Sequence, residues 1–141
     1  CWFGAALRQE GIAGLLEGVR FVRRTGQSRI LTHERRLLAR TEQALADIND
    51  VHFFAAEGEN QAGVLSFVCD GWDCQDLART LGQQGIAVRA GLHCAPLAHS
   101  HAGTLDSGTV RVSFSAFNRE DEVEYFRTVL KQIVHGILRV Y

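Results

Sequence analysis

Apolar residues recur along this chain at two spacings, and these spacings divide it into helices and strands. Intervals of three and four residues predict helices over 11–24, 29–48 and 74–83, and a C-terminal helix that begins after Asn118. Short apolar runs, some alternating with polar residues, predict strands over 51–55, 64–69, 86–89 and 109–115. The order ααββαββα favours an α+β fold. We expect a two-layer α/β sandwich in which helices cover one face of a small mixed or antiparallel sheet of about four strands.

Polar residues and glycines beside the apolar runs predict where elements start and turn. A turn over 57–60 should join the first two strands as a hairpin, and a long loop is expected over 90–108. Side chains that can cap a helix precede three of the helices, namely Ser28, Asp73 and Asn118. Three glycines in the helix over 11–24 suggest that it packs closely against another element. The C-terminal helix should bury one apolar stripe, formed by Val123, Phe126, Leu130, Ile133 and Ile137.

The composition narrows the class of protein. The chain has 141 residues and a net charge of −1, so no charge pattern indicates binding to nucleic acid or to an acidic membrane surface. No apolar run approaches the ~18–20 residues that a membrane-spanning helix needs. Four irregularly spaced cysteines indicate reduced thiols and a cytoplasmic location. No linker or repeat divides residues 1–141, which predicts a single domain. Because the chain contains no Met and begins at Cys1, we expect it to be a piece of a longer protein.

Candidate chemistry is concentrated around the predicted loop. Arg89 ends one strand, His93 and Cys94 follow in a turn, and Arg111 lies on the last strand. In that strand Arg111 alternates with valines, so it should point away from the apolar face. Arginine binds a carboxylate through two parallel hydrogen bonds, and a cysteine thiolate beside a cationic group is a nucleophile. These four residues could therefore form a pocket for a small amino acid.

Each of these residues also has a simpler structural interpretation. Cys94 could be a small buried apolar side chain, and either arginine could be solvated or paired with a carboxylate. His93, His99 and His101 lie close to Cys94 in sequence, but their spacing matches no standard zinc site, so we predict no metal. The residues alone leave these alternatives open.

Two sequence motifs resemble those of a known enzyme family. V-R-A-G-L-H-C-A at 88–95, followed by G-T-V-R-V-S-F-S-A-F-N at 108–118, is similar to the C-terminal portion of class V aminotransferases. It looks closest to the Suf-type cysteine desulfurases and selenocysteine lyases. The glycine-containing segment at 11–22 resembles the helix that follows the cofactor-binding domain in that family. The resemblance implies the small C-terminal domain of a fold-type I pyridoxal-phosphate enzyme.

The resemblance also implies roles for the candidate residues. In the family, cysteine forms an imine with pyridoxal phosphate, and a loop thiolate attacks its sulfur to leave alanine and an enzyme persulfide. Carried over, Cys94 would be this nucleophile and Arg111 would hold the substrate carboxylate. Arg89 and His93 would line the same pocket and assist the thiol. A homodimeric parent enzyme and a sulfur-acceptor protein are further expectations.

The large pyridoxal-phosphate domain is not in this sequence. The family's cofactor lysine lies in that domain, and the only lysine here, Lys131, is in a different context. We therefore expect no cofactor-binding residues in this chain, and no turnover by the chain alone. Three further possibilities remain: a class V aminotransferase or selenocysteine lyase, a non-catalytic binding module that keeps the small-domain fold, and, third, a metal-binding module.

Overall fold

The chain folds into a sheet of four antiparallel strands with helices packed against it. A computed structural model describes residues 3–56 and 61–138. In these residues the elements are α1 (Phe3–Thr25), α2 (Gln27–Leu45), β1 (Val51–Phe54), β2 (Val64–Cys69), α3 (Cys74–Gln83), β3 (Arg89–Gly91), α4 (Pro96–His101), β4 (Thr109–Ser113) and α5 (Glu120–Val134). The strand order is β1-β2-β4-β3, and every neighbouring pair is antiparallel. The predicted α+β class is confirmed. Of the two predicted sheet types, mixed and antiparallel, the sheet is antiparallel.

The strand register separates a core face from an open face. Leu65 lies opposite Val112 and Phe67 opposite Val110, and all four side chains are buried. We call their side of the sheet the core face. Residues between them in sequence point to the other side, the open face, because side chains alternate along a strand.

Three helices cover the core face. Helices α2, α3 and α5 supply most of the fully buried side chains that meet the strands, including Leu37, Leu45, Leu77, Leu81, Leu130 and Ile133. The ring of Phe126 on α5 packs edge-on against Phe67, with 6.0 Å between the ring centroids. Helices α2, α3 and α5 thus leave the open face accessible, and the short helix α4 covers part of it.

Two of the three predicted helix caps are wrong. The residue before α2 is Gly26, with φ of 89°, because the helix already begins at Gln27 ahead of Ser28. The residue before α5 is Arg119, because the Asn118 side chain accepts a hydrogen bond from the Ser115 N–H instead. Asp73 does cap α3, because its Oδ1 accepts hydrogen bonds from the backbone N–H groups of Gln75 and Asp76.

Several predicted boundaries also shift. Strand β3 pairs over 89–91 and not 86–89, and β4 ends at Ser113. The predicted loop over 90–108 contains α4, which starts at Pro96, a residue well suited to a first helical turn because its missing N–H needs no partner there. The predicted turn over 57–60 lies outside the described residues.

Ile137 does not belong to the buried stripe of α5. Its side chain is 71% exposed, because the helix ends at Val134 and Gly136 turns the chain away with φ of 70°. The N–H of Gly136 donates to Ile133 O and that of Ile137 to Gln132 O, the hydrogen-bond pattern of a Schellman termination.

Helix α1 carries an apolar face without a partner in the described structure. Its exposed large side chains are Ile12, Leu15, Leu16, Val19 and Val22. A Cβ added at Gly11, Gly14 or Gly18 would meet nothing within 4 Å, so the close packing predicted from these glycines is not formed here. None of the described helices is long and apolar enough to span a membrane.

We expect the exposed face of α1 to drive self-association, since soluble monomers rarely expose a continuous apolar stripe of this kind. Light scattering behind gel filtration should show a mass that rises with protein concentration, and the double variant Leu15→Glu, Leu16→Glu should reduce it to the monomer mass. Arg24→Glu, which adds negative charge on the other side of the helix, is the control and should leave association unchanged. A wild-type chain that stays monomeric at every concentration would contradict this expectation.

Candidate active site

Two arginines lie opposite each other on the open face, one on β4 and one on the edge strand β3. The register places Phe54, Ser66, Arg111 and Arg89 in one row across the four strands. Arg111 is half-buried on the central strand β4, and Arg89 lies directly opposite it on β3. Like charges opposite each other on a sheet repel, and neither arginine forms an ion pair with the described side chains. Such a pair is suited to an anion that both can share.

Arg111 has an unsatisfied hydrogen-bond donor. Its Nε is buried and has no partner among the described residues. Leaving a buried donor without a partner costs on the order of 1–3 kcal/mol, and a carboxylate is the natural partner of a guanidinium fork. The predicted orientation of Arg111, away from the valines of its strand, is confirmed by the register.

The turn after β3 has an unusual backbone conformation. His93 and Cys94 have φ of 52° and 60°, in the left-handed region that costs a non-glycine residue on the order of 1–3 kcal/mol. The His93 ring is held on the sheet, with Nε2 3.2 Å from the Thr109 hydroxyl oxygen. Its Nδ1 is buried and has no partner within the described part of the chain.

The surroundings of His93 disfavour a positive charge on its ring. Burial lowers its pKa below the usual value of 6.5, and the positive charge of Arg111 lowers it further, while a hydrogen bond to the Thr109 backbone partly opposes this. His99 and Arg89 act in the same direction as Arg111. These neighbours therefore favour the uncharged form of the ring.

Cys94 is the accessible thiol of the three cysteines that the structure describes. Its side chain is exposed, whereas Cys69 and Cys74 are buried. Burial, with help from Asp50 and Asp70, raises the pKa of Cys69 to about 11. Burial likewise raises the pKa of Cys74. The interpretation of Cys94 as a buried packing residue is therefore wrong, while the expected assistance of its thiol by Arg89 and His93 stays a prediction.

The structure adds residues that the sequence did not single out for this site. Helix α4 covers part of the open face and encloses a cleft of about 160 Å³. The cleft is lined by Phe54, Ser66, Ala98, His99, Ala102, Thr104 and Thr109. The proline that starts α4 and the cluster of histidines were the only signals in the sequence. Within the described residues, no three His, Cys, Asp or Glu side chains are grouped so that they could hold a metal ion.

The residues described here do not by themselves fit pyridoxal phosphate. That cofactor is held as an imine by a lysine, and the only lysine of the chain is Lys131. Lys131 lies on α5, on the side of the sheet away from the two arginines, with Nζ 3.3 Å from Asp47 Oδ2. It therefore cannot serve a ligand on the open face.

Comparisons with known proteins identify relatives of this chain. A protein of Mycobacterium leprae named probable cysteine desulfurase 1 is 40% identical over 123 residues, which is 87% of this chain and 20% of that protein. A probable cysteine desulfurase of Xylella fastidiosa (strain Temecula1) is 38% identical over 87% of this chain and 29% of its own length. The chain thus spans less than a third of these relatives.

A solved structure and a family profile complete the comparison. The cysteine desulfurase of Thermococcus onnurineus NA1, solved in its apo form, superposes with a TM-score of 0.81 at 36% identity, covering 87% of this chain and 30% of that one. The profile of the Aminotransferase class-V family matches residues 7–126, most of the sequence, and the chain therefore belongs to that family.

Proposed function

We propose that this chain is the small C-terminal domain of a pyridoxal-phosphate-dependent cysteine desulfurase that mobilises sulfur in the cytoplasm. The net reaction converts cysteine and the Cys94 thiol into alanine and a Cys94 persulfide. One carbon–sulfur bond breaks and one sulfur–sulfur bond forms. The observation that supports it most is the position of Arg89 and Arg111, which lie opposite each other on the open face without an ion pair to any described side chain. The exposed Cys94 follows Arg89 by five residues. The relatives of known name point to the same reaction.

The chain's own residues divide the work on the substrate. Arg111 binds the carboxylate of the amino acid, and Arg89 adds a second positive charge beside it. The neutral His93 takes up a proton when the Cys94 thiol ionises, and Cys94 receives the sulfur. The cofactor supplies the carbanion chemistry, and it would be held by residues outside this chain.

The proposal extends to the rest of the protein. The relatives are about three to four times as long as this chain, so the cofactor lysine belongs in the remaining length. The apolar face of α1 is a suitable contact for that part. We further propose a homodimeric parent enzyme that passes its persulfide sulfur to an acceptor protein.

Product analysis tests the reaction against the other members of the family. The natural protein that contains this chain, supplied with pyridoxal phosphate and cysteine, should release alanine in proportion to the sulfur it transfers to a thiol acceptor. Selenocysteine supplied alone and amino-group transfer to a keto acid are the matched comparisons. Faster turnover of selenocysteine only, or keto-acid formation without alanine, would replace the proposal by a lyase or an aminotransferase. Cysteine binding without any product would indicate a binding module.

A further inference from the structure

Helix α4 carries a histidine in an environment that histidines on short surface helices seldom have. His99 is 6% exposed, and its Nδ1 lies 2.8 Å from Oγ1 of Thr104, which is equally buried. The backbone ties the same two residues together, because the N–H of Thr104 donates to His99 O over 2.9 Å. His101, two residues further along, is exposed and bonds only to the local carbonyl of Leu97. The two histidines of α4 therefore have different environments: His99 is buried and bonded to Thr104, and His101 is exposed.

The His99–Thr104 pair also holds the loop closed. The N–H of Gly108 donates to Thr104 O over 2.9 Å. Gly108 has φ of 65°, and a Cβ added there would come within 3.0 Å of Gly91 Cα. Gly91, at the end of β3, and Gly108, just before β4, are thus in close contact. His99 and Thr104 lie in the loop between these two glycines. A displacement of Thr104 would be passed to the loop that carries His93.

His99 is a direct neighbour of His93. Their ring centroids are 5.9 Å apart at an angle of 42°. His93 is bonded to Thr109, which lines the same cleft as His99 and Thr104. The pair therefore covers the side of the sheet on which His93 is buried, without touching Cys94 or Arg111 in any described hydrogen bond.

We propose that His99 and Thr104 are positioning residues of the candidate active site: their hydrogen bond keeps α4 on the sheet and so holds the His93 ring in its place beside Thr109. The inference deepens the proposed function, in which His93 is the proton acceptor, but it concerns the environment of the ring and not the reaction. The charged and polar groups facing His93 are Arg89 from β3, Arg111 and Thr109 from β4, and His99 from α4. All but Thr109 disfavour a proton on the ring.

The direction of the effect follows from the causes of the low pKa of His93. Burial is the largest of them and Arg111 the second. If α4 lifts from the sheet, water reaches the ring and the charged form is no longer penalised, so the pKa rises toward its ordinary value. Breaking the His99–Thr104 bond should therefore make His93 more basic even though neither residue bonds to it.

The test is an NMR titration of the histidine rings in the 141-residue chain itself. Thr104→Val keeps the shape of the side chain and removes its hydroxyl, and we expect it to raise the pKa of His93 by roughly half a unit or more. Thr104→Ser restores a hydroxyl and should return the pKa to that of the wild type. His101→Ala, on the same helix, is the matched control and should leave His93 unchanged.

A second variant protects the test against a change of fold. His99→Asn places an amide where Nδ1 lies, so it can still bond to Thr104, and its His93 pKa should stay closer to the wild type than that of Thr104→Val. Circular dichroism checks that each variant is folded. A folded Thr104→Val chain with an unchanged His93 pKa would overturn the inference. This readout is independent of turnover, so failure of the proposed desulfurase activity would leave a different signature, namely a shifted His93 in a protein that makes no alanine.

Discussion

Replacing Cys94 by alanine should abolish the release of alanine from cysteine by the natural protein that contains this chain. We expect a loss of roughly 10³-fold or more, because the reaction has no other acceptor for the sulfur when the nucleophile is removed. Substrate binding should survive, since the proposed ligand of the carboxylate is Arg111 and not the thiol. The assay is alanine formation under saturating cysteine, with cysteine affinity measured separately.

Two matched controls separate this effect from damage to the fold. Cys69→Ser and Cys74→Ser remove the buried thiols, and their effects should appear in stability and not in the rate per folded molecule. Cys94 is exposed, so its replacement should leave the melting temperature unchanged. If Cys94→Ala retains wild-type release of alanine from cysteine, the thiol is not the sulfur acceptor, and the proposed role of Cys94 is wrong.

Replacing Arg111 by alanine should weaken the use of cysteine through binding. Hydrogen bonds to charged groups contribute about 1.5–3 kcal/mol each, so losing a two-point contact should lower kcat/KM by roughly 10²–10⁴-fold. Most of the change should fall on KM, because the carboxylate is bound alike in the ground state and during the reaction. Steady-state kinetics with cysteine measure both constants.

The conservative variant and a distant arginine sharpen the result. Arg111→Lys keeps the charge but loses the planar fork, so it should recover only part of the loss. Arg79 on α3 is exposed and paired with Asp76, and Arg79→Ala should have no effect on either constant. An Arg111→Ala enzyme with an unchanged KM would show that the carboxylate is bound elsewhere.

The parts of the fold that sequence predicts well are those with a repeated spacing. Alternation in β4 predicted that Arg111 points to the other face of the sheet from Val110 and Val112, and the register confirms this orientation. Helix α4 was missed because six residues are too few for a helical period to appear. The start of β3 at Arg89 depends on pairing with β4, which is a contact between distant parts of the chain. Local patterns carry no information of that kind.

The residues of the candidate site are a prediction from the sequence, whereas the electrostatic environment of His93 comes from the structure. Arg89, His93, Cys94 and Arg111 were chosen from their chemical types and their closeness along the chain. The lowered pKa of His93 could not be predicted, because it depends on burial of the ring and on the nearby guanidinium of Arg111. The role of His99 was hidden for the same reason, since its partner Thr104 looks like an ordinary loop residue until the loop is folded.

The sulfur carried by Cys94 tests the central claim most directly. Cleavage after Arg89 and Arg111 releases the peptide 90–111, in which Cys94 is the only cysteine. After incubation of the cofactor-loaded natural protein with cysteine, mass spectrometry should find this peptide with one additional sulfur atom that a reducing agent removes. An unmodified peptide recovered while the same protein releases alanine would contradict the account.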